Sequence, residues 1–375
     1  MVWADHVRNI RVDPDSDGPR LVAADWLLDQ ADVRGEYIVV ACRLARLPPG
    51  SPEFDELVGR LNELAVMHQH AWVQPIVELG GQGYRQGDAP ELTRGFVESV
   101  TLVGRHAASF ATICELEPII DVTFVSCGAS NYEKVAAMPE LSFIRDLTLR
   151  GSHIVGCEAL IASPHLSSVR HLSLPRGNDP AQLAALASGT ARPLGFTLHE
   201  DIPILMRLVA NGFFARMMRL DLRGLTDDGA VALAEAAMPD LRWLDLDGPE
   251  LTERGMTAIA PYLRRLDRLH YTAIAPAPGA VPVLLDALAA GNLRSLVLGG
   301  FVCDPLAALI ESPAFANVES LQLMWQVFTP RIAEALQATR YRDKLRSLRI
   351  RIGDGETPTG FTLSGVVIDD HDERT

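Results

Sequence analysis

A short apolar pattern recurs along most of the chain and constrains its fold more than any other feature. Two apolar residues stand two positions apart, often with a third three positions before them, which gives LxxLxL. Side chains alternate between the two faces of a strand, so each pair predicts one buried strand face. Successive second members lie 22, 25, 25, 24, 24, 24, 25, 27, 25 and 27 residues apart. The eleven pairs are Val100/Leu102, Val122/Phe124, Leu147/Leu149, Leu172/Leu174, Phe196/Leu198, Leu220/Leu222, Leu244/Leu246, Leu269/Tyr271, Leu296/Leu298, Leu321/Leu323 and Leu348/Ile350.

A helix is predicted after each strand in the two clearest copies, "MMRLDLRGLTDDGAVALAEAAMPD" and "LRWLDLDGPELTERGMTAIAPYL". Thr226 and Thr252 offer side-chain oxygens as N-caps. Leu225 and Leu251 are expected to turn inward after the strand, and Val231, Leu233 and Ala234 continue at helical spacing. Neither a single strand nor a single helix buries its apolar face alone, so neighbouring repeats must stack to build a core.

The repeated pattern resembles that of the leucine-rich repeat family, in its long, helix-bearing type. The resemblance implies an α/β solenoid over residues 96–352, shaped as a horseshoe with a parallel sheet on the concave face and helices outside. The chain departs from the family where an asparagine or cysteine often follows the strand. Glycine stands there instead, at Gly104, Gly151, Gly224, Gly248 and Gly300.

Residues 1–78 lack the period and have a helical pattern. Their segment "DPDSDGPRLVAADWLLDQADVRGEYIVVACRLARL" is similar to the bacterial repeat-companion domain that precedes leucine-rich-type repeats. The resemblance implies a small all-α module that covers the first repeat, and it implies no activity. Residues 79–95 are rich in glycine and predict a linker or irregular cap. Residues 353–375 break the period and predict a C-terminal cap, at 361–368, with an acidic tail.

Charge and cysteine usage exclude several classes of function. The formal net charge of −14 over 375 residues repels phosphate backbones and anionic membrane surfaces, so we expect no nucleic acid and no membrane partner. No apolar run is long enough to span a bilayer and no signal peptide is recognisable, which predicts a cytoplasmic protein. Five cysteines without CxxC spacing argue against a disulfide framework or a zinc site. No cofactor is predicted.

The residues between the paired apolar positions are expected to line the concave surface. In the first repeats this row carries hydroxyl groups, at Thr101, Thr123, Thr148, Ser173 and Thr197. In the middle of the array the row and its flanks carry charges around one indole. These candidate partner-binding residues are Arg219, Asp221, Arg223, Trp243, Asp245, Asp247, Arg268 and His270.

Tryptophan and arginine are the commonest anchors of protein interfaces, so the sequence predicts a non-enzymatic scaffold or regulator that recognises a protein or peptide. Three alternatives stay open. The charges serve only to keep the repeat array soluble, or the chain is the recognition subunit of a separate modifying enzyme. In the third, Asp221, Asp245 and His270 form a metal-dependent site, because carboxylates and imidazole are metal ligands.

Overall fold

The computed structural model describes residues 2–48, 50–84, 87–151, 156–174, 185–186, 191, 193–199, 202–248, 250–273, 277–300, 303–326, 330–352 and 367–369. Contacts within the chain divide it into two compact units, Met1–Arg192 and Pro193–Thr375. The predicted boundaries at 78 and 95 both fall inside the first unit, so the N-terminal helices and the first repeats belong to one compact body.

The first unit begins with four helices. Ser51 caps the last of them, since its side chain accepts a hydrogen bond from the Phe54 backbone N–H. Pro19 and Pro52 stand in the first turns of their helices, where a missing N–H costs nothing. The helices are α1 (Trp3–Val12), α2 (Gly18–Leu28), α3 (Arg34–Leu44) and α4 (Pro52–Glu78).

Helices α1, α2 and α3 pack around an apolar core that also includes Phe96, a residue just before the first long strand. Trp26 is partly buried and packs against this core. Helix α4 packs through a second cluster, formed by Tyr37, Ala41 and Leu64. The predicted apolar stripe of α4 is buried less completely than expected. Leu64 is buried at 1% exposure, whereas the remaining members are only half-buried: Phe54, Leu57, Val58, Leu61 and Ala65.

Strands alternate with helices in the rest of the first unit. Strands β2 to β5 are parallel and adjacent in chain order, and β1 pairs antiparallel with β2. The segment predicted as an irregular cap therefore contributes one two-residue strand to the sheet. The elements are β1 (Gly81–Gln82), β2 (Ser99–Val103), α5 (Phe110–Leu116), β3 (Asp121–Val125), α6 (Ala129–Ala136), β4 (Asp146–Arg150), α7 (Glu158–Ile161) and β5 (His171–Ser173).

The second unit repeats the same alternation. Strands β6 to β13 are all parallel, and each pairs with the next along the chain. The elements are β6 (Gly195–His199), α8 (Ile202–Ala210), β7 (Arg219–Arg223), α9 (Asp227–Ala234), β8 (Trp243–Asp247), α10 (Glu253–Leu263), β9 (Arg268–Thr272), α11 (Ala280–Ala289), β10 (Ser295–Gly299), α12 (Cys303–Glu311), β11 (Ser320–Gln326), α13 (Pro330–Ala338), β12 (Ser347–Ile352) and β13 (Val367–Asp369).

All eleven apolar pairs lie in these strands or directly after them, and no member is more than 4% exposed. Parallel strands joined by helical crossovers are the α/β arrangement that the period predicts. Of the predicted C-terminal cap and tail, only 367–369 fall among the described residues, where they form β13 beside β12. The remainder of 353–375 lies outside them.

Capping explains how each helix starts in the best repeats. The side chains of Thr226 and Thr252 accept hydrogen bonds from backbone N–H groups of the first turn, as predicted. Asp227 adds a link between repeats, because its carboxylate accepts from the backbone N–H groups of Thr252 and Gly255 at 2.9 and 3.0 Å. Burial opposes ionisation there, yet a hydrogen bond from the Thr252 hydroxyl, together with these two backbone hydrogen bonds, holds the pKa of Asp227 below its usual range.

Glycine follows the strands because of backbone conformation. Gly224 and Gly248 have φ values of 72° and 61°, in the left-handed region that favours glycine. A Cβ atom at either position would meet no atom within 4 Å, so space is not the constraint.

Leu225 and Leu251 turn inward as predicted, at 1% and 2% exposure. The residues at helical spacing do not all share that buried side. Val231 is 37% exposed and Ala234 is exposed, while Ala230 and Leu233 form the buried side of α9. The first two residues of the hydroxyl row were expected to line an open surface but are buried, since Thr101 and Thr123 are only 4% and 8% exposed.

Candidate functional site

The eight predicted site residues lie on three adjacent strands, β7, β8 and β9. Their register is continuous, and Asp221 pairs with Asp245, which in turn pairs with His270. Each of these residues stands between two buried apolar residues of its strand, so the three side chains belong to the opposite face of the sheet. The structure therefore brings together the row that the sequence predicts. We call the eight residues the Trp243 patch.

Trp243 lies between two arginines in this register, with Arg219 on one neighbouring strand and Arg268 on the other. The guanidinium carbons of Arg219 and Arg268 lie over the indole ring, 3.8 and 5.1 Å from its centroid. Cations within about 6 Å of an aromatic centroid are attracted to its negative face. The two arginines thereby restrain a half-buried indole whose remaining surface is open to solvent.

Asp221 is the most buried acid of the patch, at 8% exposure. Arg219 donates two hydrogen bonds to its carboxylate, from Nε at 3.0 Å and from Nη2 at 2.9 Å. Thr197, on β6, donates a third at 3.1 Å. A paired and hydrogen-bonded carboxylate can remain ionised in a buried position. Asp221 thus fixes the guanidinium that covers Trp243.

Asp245 and His270 form a second pair, with 2.9 Å between the carboxylate and Nδ1 of the ring. The carboxylate accepts, so Nδ1 carries the proton in this pair. Nε2 of His270 is enclosed and has no hydrogen-bond partner among the residues that the structure describes. Within the described residues, the imidazole ring of His270 is therefore oriented by its Nδ1 hydrogen bond alone.

The rim of the patch is exposed. Asp247 accepts a hydrogen bond from Thr272 at 2.9 Å, and Arg223 approaches it at 3.9 Å with both side chains about half exposed. Arg268 is also exposed and forms no ion pair with any residue that the structure describes. Its charge is thus available to a ligand.

The patch differs from the remainder of this acidic chain in its charge. Three arginines stand against three aspartates, so the patch is neutral with His270 uncharged and positive with His270 protonated. Two of the aspartates, Asp221 and Asp245, are held by close partners at 2.9 Å. Among the cations, Arg268 has no such partner in the described part of the chain.

Metal binding at Asp221, Asp245 and His270 does not fit these contacts well. The Asp221 carboxylate is engaged by Arg219, whose positive charge would face an incoming cation. Nδ1 of His270 is engaged by Asp245. Within the described residues, no group of three or more histidine, cysteine, aspartate or glutamate side chains has the arrangement of a metal site.

Two threonines support the patch: the sequence placed Thr197 in the hydroxyl row but not in the patch, and Thr272 was not predicted. Thr197 and Thr272 each donate to a carboxylate on the neighbouring strand. The repeat spacing could have predicted both contacts, since Thr197 precedes Asp221 in the same row and Thr272 pairs with Asp247 in the register.

A second row of polar groups in the first unit was also missed. Ser99, Asp121, Asp146 and His171 pair in turn across β2 to β5. Burial, with the nearby charge of Asp146, raises the pKa of Asp121 to about 6. These residues occupy the first position of their strands. The sequence-based prediction considered that position only in the middle of the array.

Among the residues that the structure describes, the helices are too short or too polar to cross a bilayer. No protein-family model matches the chain. No curated protein matches it significantly either.

Proposed function

We propose that this chain is a non-enzymatic recognition protein that binds a protein or peptide through the Trp243 patch. In this proposal the repeats are of the leucine-rich type, the strands line the concave face of a horseshoe, and the N-terminal helices are a repeat-companion module. The protein acts in the cytoplasm. The same surface would serve a free-standing scaffold or the recognition subunit of a separate modifying enzyme.

The observation that carries the proposal is the placement of Trp243 between Arg219 and Arg268. Interface hot spots are enriched in tryptophan and arginine, and an anchor that is already immobile loses little entropy on binding. Asp221 and Thr197 hold Arg219, and Arg219 in turn covers the indole. A surface that serves only solubility has no need of an oriented aromatic ring.

The chemistry of the patch indicates its ligand. Arg268 is exposed beside the indole and lacks an ion pair with the described residues, so it favours a carboxylate on the partner. The indole favours an aromatic or aliphatic side chain close to that carboxylate. We therefore propose a peptide segment in which an acidic residue stands next to an apolar one.

The test is a selection of random twelve-residue displayed peptides on the full chain, with the Trp243→Ala variant as counter-selection. We expect peptides that combine acidic and apolar residues. Their affinity should fall by about 2 kcal/mol, or about 30-fold in Kd, in Trp243→Ala. Gln322→Ala, a half-buried position in the same row on β11, should bind the peptides like the unaltered chain.

Melting curves complete the test, because the half-buried Trp243 contributes little to the core. The melting temperature of Trp243→Ala should remain within about 3 °C of the unaltered protein. If the selected peptides bind Trp243→Ala with unchanged Kd, the patch is not the recognition surface.

A further inference from the structure

A cleft in the N-terminal helices has the features of a second binding site. Its volume is about 470 Å³, within the range of pockets that hold small ligands or peptide side chains. It is formed entirely within the first unit and shares no residue with the Trp243 patch. The lining residues used below are Trp3, Trp26, Asp32, Arg34, Trp72 and Pro75.

The walls of the cleft are aromatic. Trp3 and Trp26 stack with their ring centroids 5.8 Å apart, and Trp72 is fixed by an edge-on contact with Tyr37 at 5.1 Å. Each of the three indoles is half-buried, so part of every ring is open to solvent. Three of the five tryptophans of the chain thus line one cleft.

Several hydrogen-bond donors of the residues that line the cleft have no partner in the part of the chain that the structure describes. The Arg34 side chain is only 9% exposed, and its Nε and Nη2 atoms donate to Gly95 and Glu117. Nη1 donates to no residue that the structure describes, and the same holds for the indole N–H groups of Trp26 and Trp72. By contrast, the indole N–H of Trp3 donates to the Leu116 carbonyl at 2.9 Å.

The charges of the cleft disfavour an ionic ligand of either sign. Arg34 repels a cation, and Asp32, which also lines the cleft, repels an anion. Glu117 already neutralises Arg34 from behind, through two hydrogen bonds of 2.7 and 2.9 Å. The ligand that fits is a neutral apolar ring that carries hydrogen-bond acceptors.

We propose that this cleft binds a proline-rich segment of a partner protein. Prolyl rings pack flat against indoles, and the polyproline II backbone leaves its carbonyl groups free to accept hydrogen bonds. Trp26, Trp72 and Arg34 supply the donors for those carbonyls. Because such a segment is already extended and stiff, it loses little entropy on entering an aromatic cleft.

The experiment is a calorimetric titration of the full chain with a ten-residue polyproline peptide and, as a control for non-specific binding, a ten-residue Gly/Ser peptide. We expect saturable binding of polyproline alone. Trp72→Ala, which removes ring and donor, should weaken binding at least tenfold. Trp72→Phe keeps an aromatic ring in contact with Tyr37 and should weaken binding by a smaller factor. Comparing the two variants separates a loss of recognition from a loss of folding.

A matched control lies on the same helix. Val66 is 88% exposed, so Val66→Ala should bind polyproline like the unaltered protein. The proposal is overturned if polyproline shows no saturable heat at millimolar concentration, or if Trp72→Ala binds it with unchanged Kd. It is equally overturned if tetramethylammonium or acetate binds the cleft more tightly than polyproline does, because the cleft would then select a charge.

Discussion

Arg34 and Glu117 form a buried ion pair, in which Nη2 of the arginine donates to both carboxylate oxygens at 2.7 and 2.9 Å. Arg34 begins α3, and Glu117 directly follows α5 in the first repeats. Each partner has further hydrogen bonds, from Arg34 to the Gly95 carbonyl and from the Val97 N–H to Glu117. Although burial raises the pKa of Glu117, the guanidinium and these donors oppose that shift.

Removing one member of this pair is expected to destabilise the first unit strongly. Glu117→Ala leaves Arg34 buried without a counterion, which costs about 3–5 kcal/mol in the free energy of unfolding. Glu53→Ala removes the corresponding partner of Arg43 on the surface, where the side chains are 44% and 64% exposed. That change should cost less than about 1 kcal/mol. Urea unfolding followed by circular dichroism measures both, and equal losses would contradict the assigned burial.

Leu246 tests the repeat core of the second unit. It is 0% exposed and lies between Leu222 and Tyr271 in the register. Leu246→Asp places a charge without a partner among apolar side chains, so we expect a loss of more than about 4 kcal/mol. Limited proteolysis should then cleave first within Pro193–Thr375.

The matched control for Leu246→Asp is Val231→Asp, which introduces the same charge at a position that is 37% exposed. It should change the free energy of unfolding by less than about 1 kcal/mol. A Leu246→Asp protein as resistant to protease as Val231→Asp would mean that the strand face is not buried.

Asp121 makes stability depend on pH. Burial raises its pKa to about 6, so between the usual value near 4 and pH 6 the folded protein binds more protons than the unfolded chain. The free energy of unfolding therefore decreases as pH rises through this window and is constant above it, as far as this group is concerned. Asp121→Asn removes the decrease and should stabilise the protein at pH 7.5 by on the order of 1 kcal/mol.

Urea midpoints of Asp121→Asn and the unaltered chain, measured from pH 4 to pH 8, check this expectation. The two curves should meet near pH 4 and separate towards pH 6. Ser99→Ala provides a variant of opposite sign, because the Ser99 hydroxyl donates to the Asp121 carboxylate at 3.1 Å. In Ser99→Ala, the decrease in the free energy of unfolding should extend to higher pH. Parallel curves for the unaltered chain and Asp121→Asn would refute the proposed titration.

The strands and the candidate patch could be predicted from the sequence because both depend on local alternation and a regular spacing. The pairs Leu220/Leu222 and Leu244/Leu246 predict buried faces, and the spacing places Asp221 beside Asp245. The helix faces were harder to predict. In α9 alanines stand on both sides, so the apolar pattern does not distinguish the buried Ala230 from the exposed Ala234.

Long-range polar contacts could not be predicted, because they follow no period. Arg34 and Glu117 are 83 residues apart, and neither stands in a motif that names the other. The N-terminal cleft is similar, since Trp3, Trp26 and Trp72 come from three different helices. Their proximity results from how those helices pack, which a one-dimensional pattern does not encode.

The strand register has an evolutionary consequence. Repeats of 24, 25 and 27 residues end with their strands aligned, since Leu246, Tyr271 and Leu298 still pair in one row. Differences in length are therefore absorbed in the segments between strands. Insertions and deletions there can alter the surface formed by the helices and loops without displacing the Trp243 patch, while point substitutions can alter the patch without changing any repeat length. Selection can thus act on the two surfaces through separate kinds of mutation.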